Sequence, residues 1–346
     1  MSRDSKPWGR AIRVRVPATT SNLGPGFDVL GMALKLYNEL ELTALDAPEG
    51  LVREIEGEGA ASLPCGESNA ALEAFRSALP KGCKPRALRL RMKNRIPLGR
   101  GLGSSAAARL AGLLAGGAVH DFKERSLDWL IQEACRREGH PDNTVPAFYG
   151  GLCASFKDGE SFRHMRLKLP KGLGVSVCVP DFQVSTERAR ALLPRRVDLR
   201  DAVRNSSRLA LLIAALEQGR FGWLKLAMQD SLHQPYRKRL VRGMDSVIAA
   251  AERAGAFGAA LSGSGPTILA LTPKGAAQAR VGRAMEKAFA RAGADHLLVH
   301  CEPSATVHLH RTLSQIRDIG KVAGTGEYVD STMSACSPVG PRPTSM

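Results

Sequence analysis

Aromatic residues are scarce in this 346-residue chain, at 5%, and they do not interleave with its basic runs, so no base-stacking platform for nucleic acid is visible. No helix-turn-helix or zinc-finger spacing occurs either. No apolar run approaches the ~18 residues of a membrane span, and the polar first ten residues lack the apolar stretch of a signal peptide. A soluble, cytoplasmic protein with no membrane partner is therefore expected. The seven cysteines (Cys65, Cys83, Cys135, Cys153, Cys178, Cys301 and Cys336) are odd in number and scattered, and they never form Cys-x-x-Cys. That pattern argues against a disulfide framework or a zinc site, and for reduced, mostly buried thiols.

What is present is ordinary globular material, 44% apolar and 24% charged, long enough for one large domain or two ordinary ones. The net charge is +16. Much of the excess lies between Lys81 and Arg100, where Arg89, Arg91 and Lys93 alternate with Leu88, Leu90 and Met92. Period-2 alternation is the mark of a half-buried strand with a solvated basic face. The charge suits an anionic substrate; a basic nucleic-acid-binding protein is the competing reading from outside the enzyme class.

Periodicity predicts strands at Ala11–Val16 (ended by Pro17), Leu34–Leu42, Arg86–Met92, Phe148–Ser155, Leu173–Val179 and His296–His300, and a glycine-rich strand pair over Phe257–Leu271. It predicts helices at Ser68–Leu79, Ser104–Val119, Leu127–Arg137, Thr186–Leu193, Leu199–Gln218, Phe221–Met228, Val241–Ala254 and Ala276–Ala292. Sheets with separate helix groups indicate an α+β fold. The expected division is 1–165, 166–311 and a tail, 312–346, whose Gly, Ser, Thr and Pro cannot bury enough surface to offset chain entropy.

The most informative stretch is Ile96-Pro-Leu-Gly-Arg-Gly-Leu-Gly-Ser-Ser-Ala-Ala107. Glycines admit positive φ and close approach of backbone to a ligand, and the serines suit the cap of a helix whose first turn carries unpaired N–H groups. Together they make an anion cradle, most naturally for phosphate. The Gly-Lys-Ser/Thr of the Walker pattern is missing, so this is a different phosphate loop. Three further segments accompany it: Pro17-Ala-Thr-Thr-Ser-Asn-Leu-Gly-Pro-Gly-Phe-Asp28, Glu138-Gly-His-Pro-Asp-Asn143, and Gly258-Ala-Ala-Leu-Ser-Gly-Ser-Gly-Pro-Thr267.

In their order and spacing, these segments resemble the GHMP small-molecule kinases over about Ile12 to His300. Asn22-Leu-Gly-Pro-Gly-Phe-Asp28 and Gly139-His-Pro-Asp-Asn143 point within them to the branch that phosphorylates homoserine. The resemblance implies a two-domain fold, an N-terminal phosphate-loop domain plus a C-terminal α/β-plait-like domain. It also implies a homodimer and transfer of the ATP γ-phosphoryl group to the side-chain hydroxyl of L-homoserine, a step of threonine biosynthesis. Such chemistry asks mainly for positioning and charge neutralisation. ATP contacts would come from Pro97, Leu98, Gly99, Arg100, Gly101, Leu102, Gly103, Ser104, Ser105, Ala106 and Ala107, with Asn69 at the adenine edge unless it is a helix cap. Mg²⁺ would take a hydroxyl of Ser104 or Ser105, Ser104 being preferred, together with Glu138, with Glu133 as the fallback. The Gly258–Thr267 loop would close the site.

A small zwitterionic acceptor needs opposite charges a few ångströms apart. Asp28, beside Asn22, suits the ammonium; Arg190 and Arg237 suit the carboxylate, because a guanidinium can bond both oxygens. Thr186, one helical turn before Arg190, adds a hydroxyl. Arg239 is easily confused with Arg237 by sequence alone. His140 is expected to contact substrate, and Asn143 stands where related kinases carry an aspartate base. No side chain then acts as a strong base, and the hydroxyl proton passes to the γ-phosphate as the P–O bond breaks. Mevalonate, sugar or shikimate kinases remain the alternatives within the superfamily; those acceptors have no ammonium for Asp28.

Overall fold

A computed structural model describes residues 11–311 apart from 46, 48, 65–67, 84, 120 and 304–306, together with the backbone of 316–317. The expected tail, Cys65 and Cys336 otherwise lie outside the described residues. The strands are β1 (Ile12–Asn22), β2 (Gly26–Ala44), β3 (Gly50–Gly57), β4 (Ala87–Asn94), β5 (Leu152–Asp158), β6 (Ser161–Leu167), β7 (Leu173–Pro180), β8 (Gly258–Leu261), β9 (Ile268–Pro273), β10 (His296–Cys301), β11 (His308–Arg311) and β12 (Ile316–Arg317). The helices are α1 (Ala70–Ala78), α2 (Ser104–Ala118), α3 (Leu127–Glu138), α4 (Thr144–Tyr149), α5 (Thr186–Ala191), α6 (Leu199–Glu217), α7 (Leu224–Ala227), α8 (Gln234–Arg237), α9 (Met244–Arg253) and α10 (Ala276–Arg291). Among these residues no helix is long and apolar enough to cross a membrane.

Two sheets carry the fold. The first has the order β12-β11-β1-β2-β4-β3, with β5 and β6 continuing from the other half of the long strand β2. The second is an antiparallel sheet, β10-β7-β9-β8. Along β7, Val175, Val177 and Val179 face the main core with Leu212 and Leu216 of α6, while Cys178 joins a second core with Val247, Val281 and Phe289. Alternation of this kind lets one buried sheet serve helices on both faces.

Several sequence expectations change here. Pro17 does not end β1: the strand continues to Asn22 through a register shift between Pro17 and Ala18, a bulge being a place where a sheet tolerates proline. β3 forms parallel to β4 at the sheet edge with its side chains largely exposed, so it carries no apolar pattern to find. α4 is buried throughout and has no amphipathic period to betray it. The change of sheet falls between β6 and β7; β6 crosses the 165/166 division. β11, which that division assigned to the second domain, pairs with β1, Ile12 facing Arg311.

The packing of α2 explains its small residues. A Cβ on Gly112 would come within 2.1 Å of Ala71 O, and one on Gly116 within 2.5 Å of Phe75 O. α1 thus lies directly against α2, and the start of α2 is held over the end of β1, where Thr19 N donates to Leu102 O.

Candidate active site

Four loops meet where the two sheets adjoin, around a cavity of about 160 Å³. Its wall is the phosphate loop, with Gly99, Gly101 and Gly103 at φ of 63°, 76° and 68°. Position 101 allows no side chain, since a Cβ there would sit 2.2 Å from Ser262 O; at 103 it would sit 2.0 Å from Thr19 Oγ1. Ser262 Oγ lies 2.6 Å from Gly101 O and 2.8 Å from Thr20 Oγ1, and Gly263 N donates to Ser21 O. The Gly258–Thr267 segment is thereby locked to both other loops. Gly103, not a serine, takes the cap position of α2, with no side chain capping the helix. Ser104 and Ser105 are its first helical residues, and the uncapped N–H groups of that turn suit an anion.

The cavity is lined by Pro97, Gly99 to Ala106, Asn22, Asp28, Glu138, His140, Asp142, Asn143, Thr186, Arg190 and Arg237 among others. Most residues chosen from the sequence are therefore together. Three are elsewhere. Leu98 is not on the cavity wall, and Ala107 lies in the main core. Asn69 caps α1, its Oδ1 accepting from Ala71 N (3.1 Å) and Leu72 N (3.3 Å), and it is 3% exposed. The helix-cap alternative for Asn69 is the one found, because a buried helix start must satisfy its donors locally.

At the phosphate end, Glu138 Oε1 accepts from Ser105 Oγ at 2.9 Å and pairs with Arg109 Nη1, which also donates to Ser105 Oγ at 2.6 Å. Arg109 escaped the sequence reading; its only signal is its place one turn after Ser105. Glu133 is bound to Arg136 and Arg137 and is not on the cavity wall. The α3 C-terminus, where Gly139 turns with φ of 82°, delivers Glu138 and the His140 turn to the site.

At the acceptor end, Arg190 makes a bidentate pair with Asp28, Nη1 to Oδ2 at 2.9 Å and Nη2 to Oδ1 at 2.7 Å. The hydrogen bond to Asp28 raises the Arg190 pKa. Arg237 is 2% exposed; its Nη1 donates to Gly263 O at 3.0 Å, and its Nε is buried without a partner. Burial and the nearby Arg190 draw it down to about 10, so it stays cationic at neutral pH. Phe27 lies within reach of both guanidinium groups, 5.6 Å from Arg190 and 5.1 Å from Arg237, distances that suit cation–π attraction. Arg239 is exposed, outside the cavity.

Asn22 lines the cavity, yet its side chain is engaged in structure: Oδ1 accepts from Asp28 N (3.1 Å) and Nδ2 donates to Gly263 O (3.1 Å). It has φ of 73° and Asp28 has φ of 56°, left-handed values that asparagine and aspartate tolerate best among residues with a Cβ. Asn143 accepts from Thr19 Oγ1 at 2.8 Å and contacts Ser21 Oγ and Asp142 Oδ1 through Nδ2. His140 Nδ1 lies 2.6 Å from Asp142 Oδ1. Burial alone would lower the His140 pKa, but the hydrogen bond and charge of Asp142 outweigh it and raise the group.

A phosphate cradle on one domain, facing an acid–guanidine acceptor site built from both, is the arrangement of a small-molecule kinase. Comparison with known proteins agrees: the GHMP kinases N terminal domain family matches residues 65–151 and the GHMP kinases C terminal family matches residues 212–291. The homoserine kinase of Moorella thermoacetica is 48% identical over 81% of this chain and 93% of its own. That of Carboxydothermus hydrogenoformans is 42% identical over 84% and 94%. The crystal structure of homoserine kinase from Cytophaga hutchinsonii superposes with a TM-score of 0.78 at 30% identity, covering 87% of this chain and 98% of that one. The chain belongs to the homoserine kinase family of the GHMP kinases.

Proposed function

We infer that this protein transfers the γ-phosphoryl group of ATP to the side-chain hydroxyl of L-homoserine, giving O-phospho-L-homoserine. The observation that carries the substrate is the acceptor end: one carboxylate, Asp28, beside two guanidinium groups, Arg190 and Arg237. A zwitterionic amino acid exchanges the Asp28–Arg190 pair for two of its own, ammonium on Asp28 and carboxylate on the arginines. The partnerless Arg237 Nε supplies a buried donor for that carboxylate. Mevalonate, shikimate or a sugar would offer Asp28 no ammonium in exchange for Arg190.

The nucleotide phosphates lie along Gly99–Ser105 against the N–H groups of α2, with Arg109 adding positive charge from the same helix. Ser104 and Glu138 would hold Mg²⁺, Glu138 exchanging its contacts with Arg109 and Ser105 for the ion. A hydroxyl and a single carboxylate are hard oxygen donors, and this small set fits an ion that takes its remaining ligands from phosphates and water. The ion would neutralise charge on the transferring group. His140, whose pKa Asp142 raises, lies on the cavity wall. Asn143 orients the Thr19 and Ser21 hydroxyls and takes no proton. The acceptor proton leaves with the γ-phosphate, as a loose transition state permits. The same reading carries a cytoplasmic homodimer that needs neither nucleic acid nor membrane. Incubation with Mg·ATP and L-homoserine, followed by ³¹P NMR, tests it: a new phosphomonoester signal matching O-phospho-L-homoserine is expected. Its absence, with ATP intact or merely hydrolysed, would refute the assignment.

A further inference from the structure

We propose that His233 is a positioning residue of the acceptor site. As a neutral imidazole it holds the Arg237 guanidinium at a fixed offset from the Gly24 turn, and so sets the spacing at which an amino acid's carboxylate and ammonium are received. The inference rests on the homoserine reading above.

His233 is fully buried at the start of α8. Its Nε2 lies 2.8 Å from Gly24 O, in the loop that joins Asn22 to Asp28. Its Nδ1 lies 3.4 Å from Arg237 Nη1, and its ring stacks on Phe27 with centroids 5.3 Å apart at 26°. The two partners fix the tautomer. A carbonyl oxygen only accepts, so Nε2 carries the proton; a guanidinium nitrogen only donates, so Nδ1 is bare. An imidazolium would aim an N–H at the guanidinium and add a second buried positive charge. Burial acts in the same direction, lowering the His233 pKa. The charge of Asp230 opposes this lowering, but its Oδ2, 3.6 Å from Nε2, is already occupied by the His233 and Gln234 backbone N–H groups, at 3.0 and 2.6 Å.

The consequence for Arg237 is geometric. Its Nη1 has two hydrogens, and Gly263 O and His233 Nδ1 account for both. The guanidinium is thus anchored by one corner, with Nε left unbonded. Without the imidazole acceptor it can rotate about Nη1–Gly263, and the match to a planar carboxylate is lost. The anchor also ties Arg237 to the loop that bears Asp28, so both charges of the substrate are measured from one ring.

The test uses two variants with complementary losses. Gln in H233Q can still donate towards Gly24 O but offers no acceptor at the Nδ1 position, whereas Asn in H233N places Oδ1 near Nδ1. The KM for L-homoserine should rise about tenfold or more in H233Q, the scale of a hydrogen bond to a charged group. The KM for ATP should hold, and H233N, which keeps the Arg237 contact but loses the one to Gly24 O, should recover only part of the loss. A folded H233Q with unaltered homoserine KM would overturn the proposal, as would KM values for ATP and homoserine that rise together. Independently of any variant, long-range ¹H–¹⁵N spectra of the intact protein at pH 7 should show His233 as the neutral Nε2–H tautomer; the Nδ1–H tautomer or an imidazolium would equally overturn it. Failure of the unsubstituted protein to turn over homoserine would instead reject the substrate reading, leaving the tautomer as the test of His233.

Discussion

Arg237 and Arg239 are two residues apart, and the fold gives them opposite fates. The α8 turn buries Arg237 among Phe27, His233 and Gly263, while Arg239 faces solvent. R237A should raise the homoserine KM by about 10- to 100-fold, the scale of one lost charge-assisted contact, and R239A should leave it unchanged; steady-state kinetics on both decide the matter. Asp142 and Asn143 separate in a similar way. Asp142 is spent on His140, so D142N should lower activity through a weakened His140 contact rather than abolish it as loss of a base would. If D142N removed kcat with KM unchanged while N143A was mild, Asp142 would be the base and the proton route given above would be wrong. The same pair makes a pH prediction. His140 has a folded pKa above its ordinary 6.5, so its contribution to stability is complete below about pH 6.5 and fades as pH rises through the folded value. In D142N burial and the Arg190 charge act against the Asp28 charge alone, and with burial the largest of these the sign reverses: stability should now fall as pH drops below about 6.5. Denaturant unfolding of both proteins between about pH 5.5 and 8.5 measures this, and parallel curves would contradict it.

Among the elements, the phosphate loop is the most constrained. Gly101 and Gly103 each combine positive φ with a contact near 2 Å against Ser262 O and Thr19 Oγ1, whereas at Gly99 a Cβ meets only the Gln183 side chain at 3.3 Å. G101A and G103A should therefore lose ATP binding and melt lower; G99A, strained only in its backbone, should do so less, by about 1 kcal/mol. Calorimetric titration with nucleotide together with thermal melts separates the three. Equal effects at all three positions would contradict the packing argument. The α2 loop was legible in sequence because its chemistry is local: glycines, a polar helix start and small residues in one run. β3, α4 and β11 were not, since an exposed edge strand and a fully buried turn of helix have no apolar period. β11 is held by pairing with a strand nearly 300 residues away.

Across the whole molecule, the first sheet supplies the β1–β2 loop and α2, and the second supplies α5, α8 and the Gly258–Thr267 loop; the reaction site exists only where they adjoin. That explains what the sequence could and could not disclose. Asp28, Arg190 and Arg237 were identifiable as charges in recognisable segments, but nothing local shows that Asp28 and Arg190, 162 positions apart, would bond to each other. Asn22 lines the cavity and also bridges two loops, and Asn69 caps α1. Phe27 and His233 went unread because key partners lie on other elements, and Arg109 because its contact to Glu138 does. Since the phosphate loop and the acceptor residues line one cavity without overlapping, nucleotide and homoserine together should stabilise the native state more than either alone, by about 2.7 kcal/mol for each ligand at a hundredfold excess over its Kd. A combined shift no larger than the greater single shift would contradict two compatible subsites.

The most direct measurement is ADP release from Mg·ATP with L-homoserine, L-serine, L-threonine and mevalonate compared side by side. The account predicts turnover strongly selective for L-homoserine. Turnover with mevalonate equal to or above that with L-homoserine would contradict it, keeping the kinase fold but removing the purpose assigned to Asp28, Arg190 and Arg237.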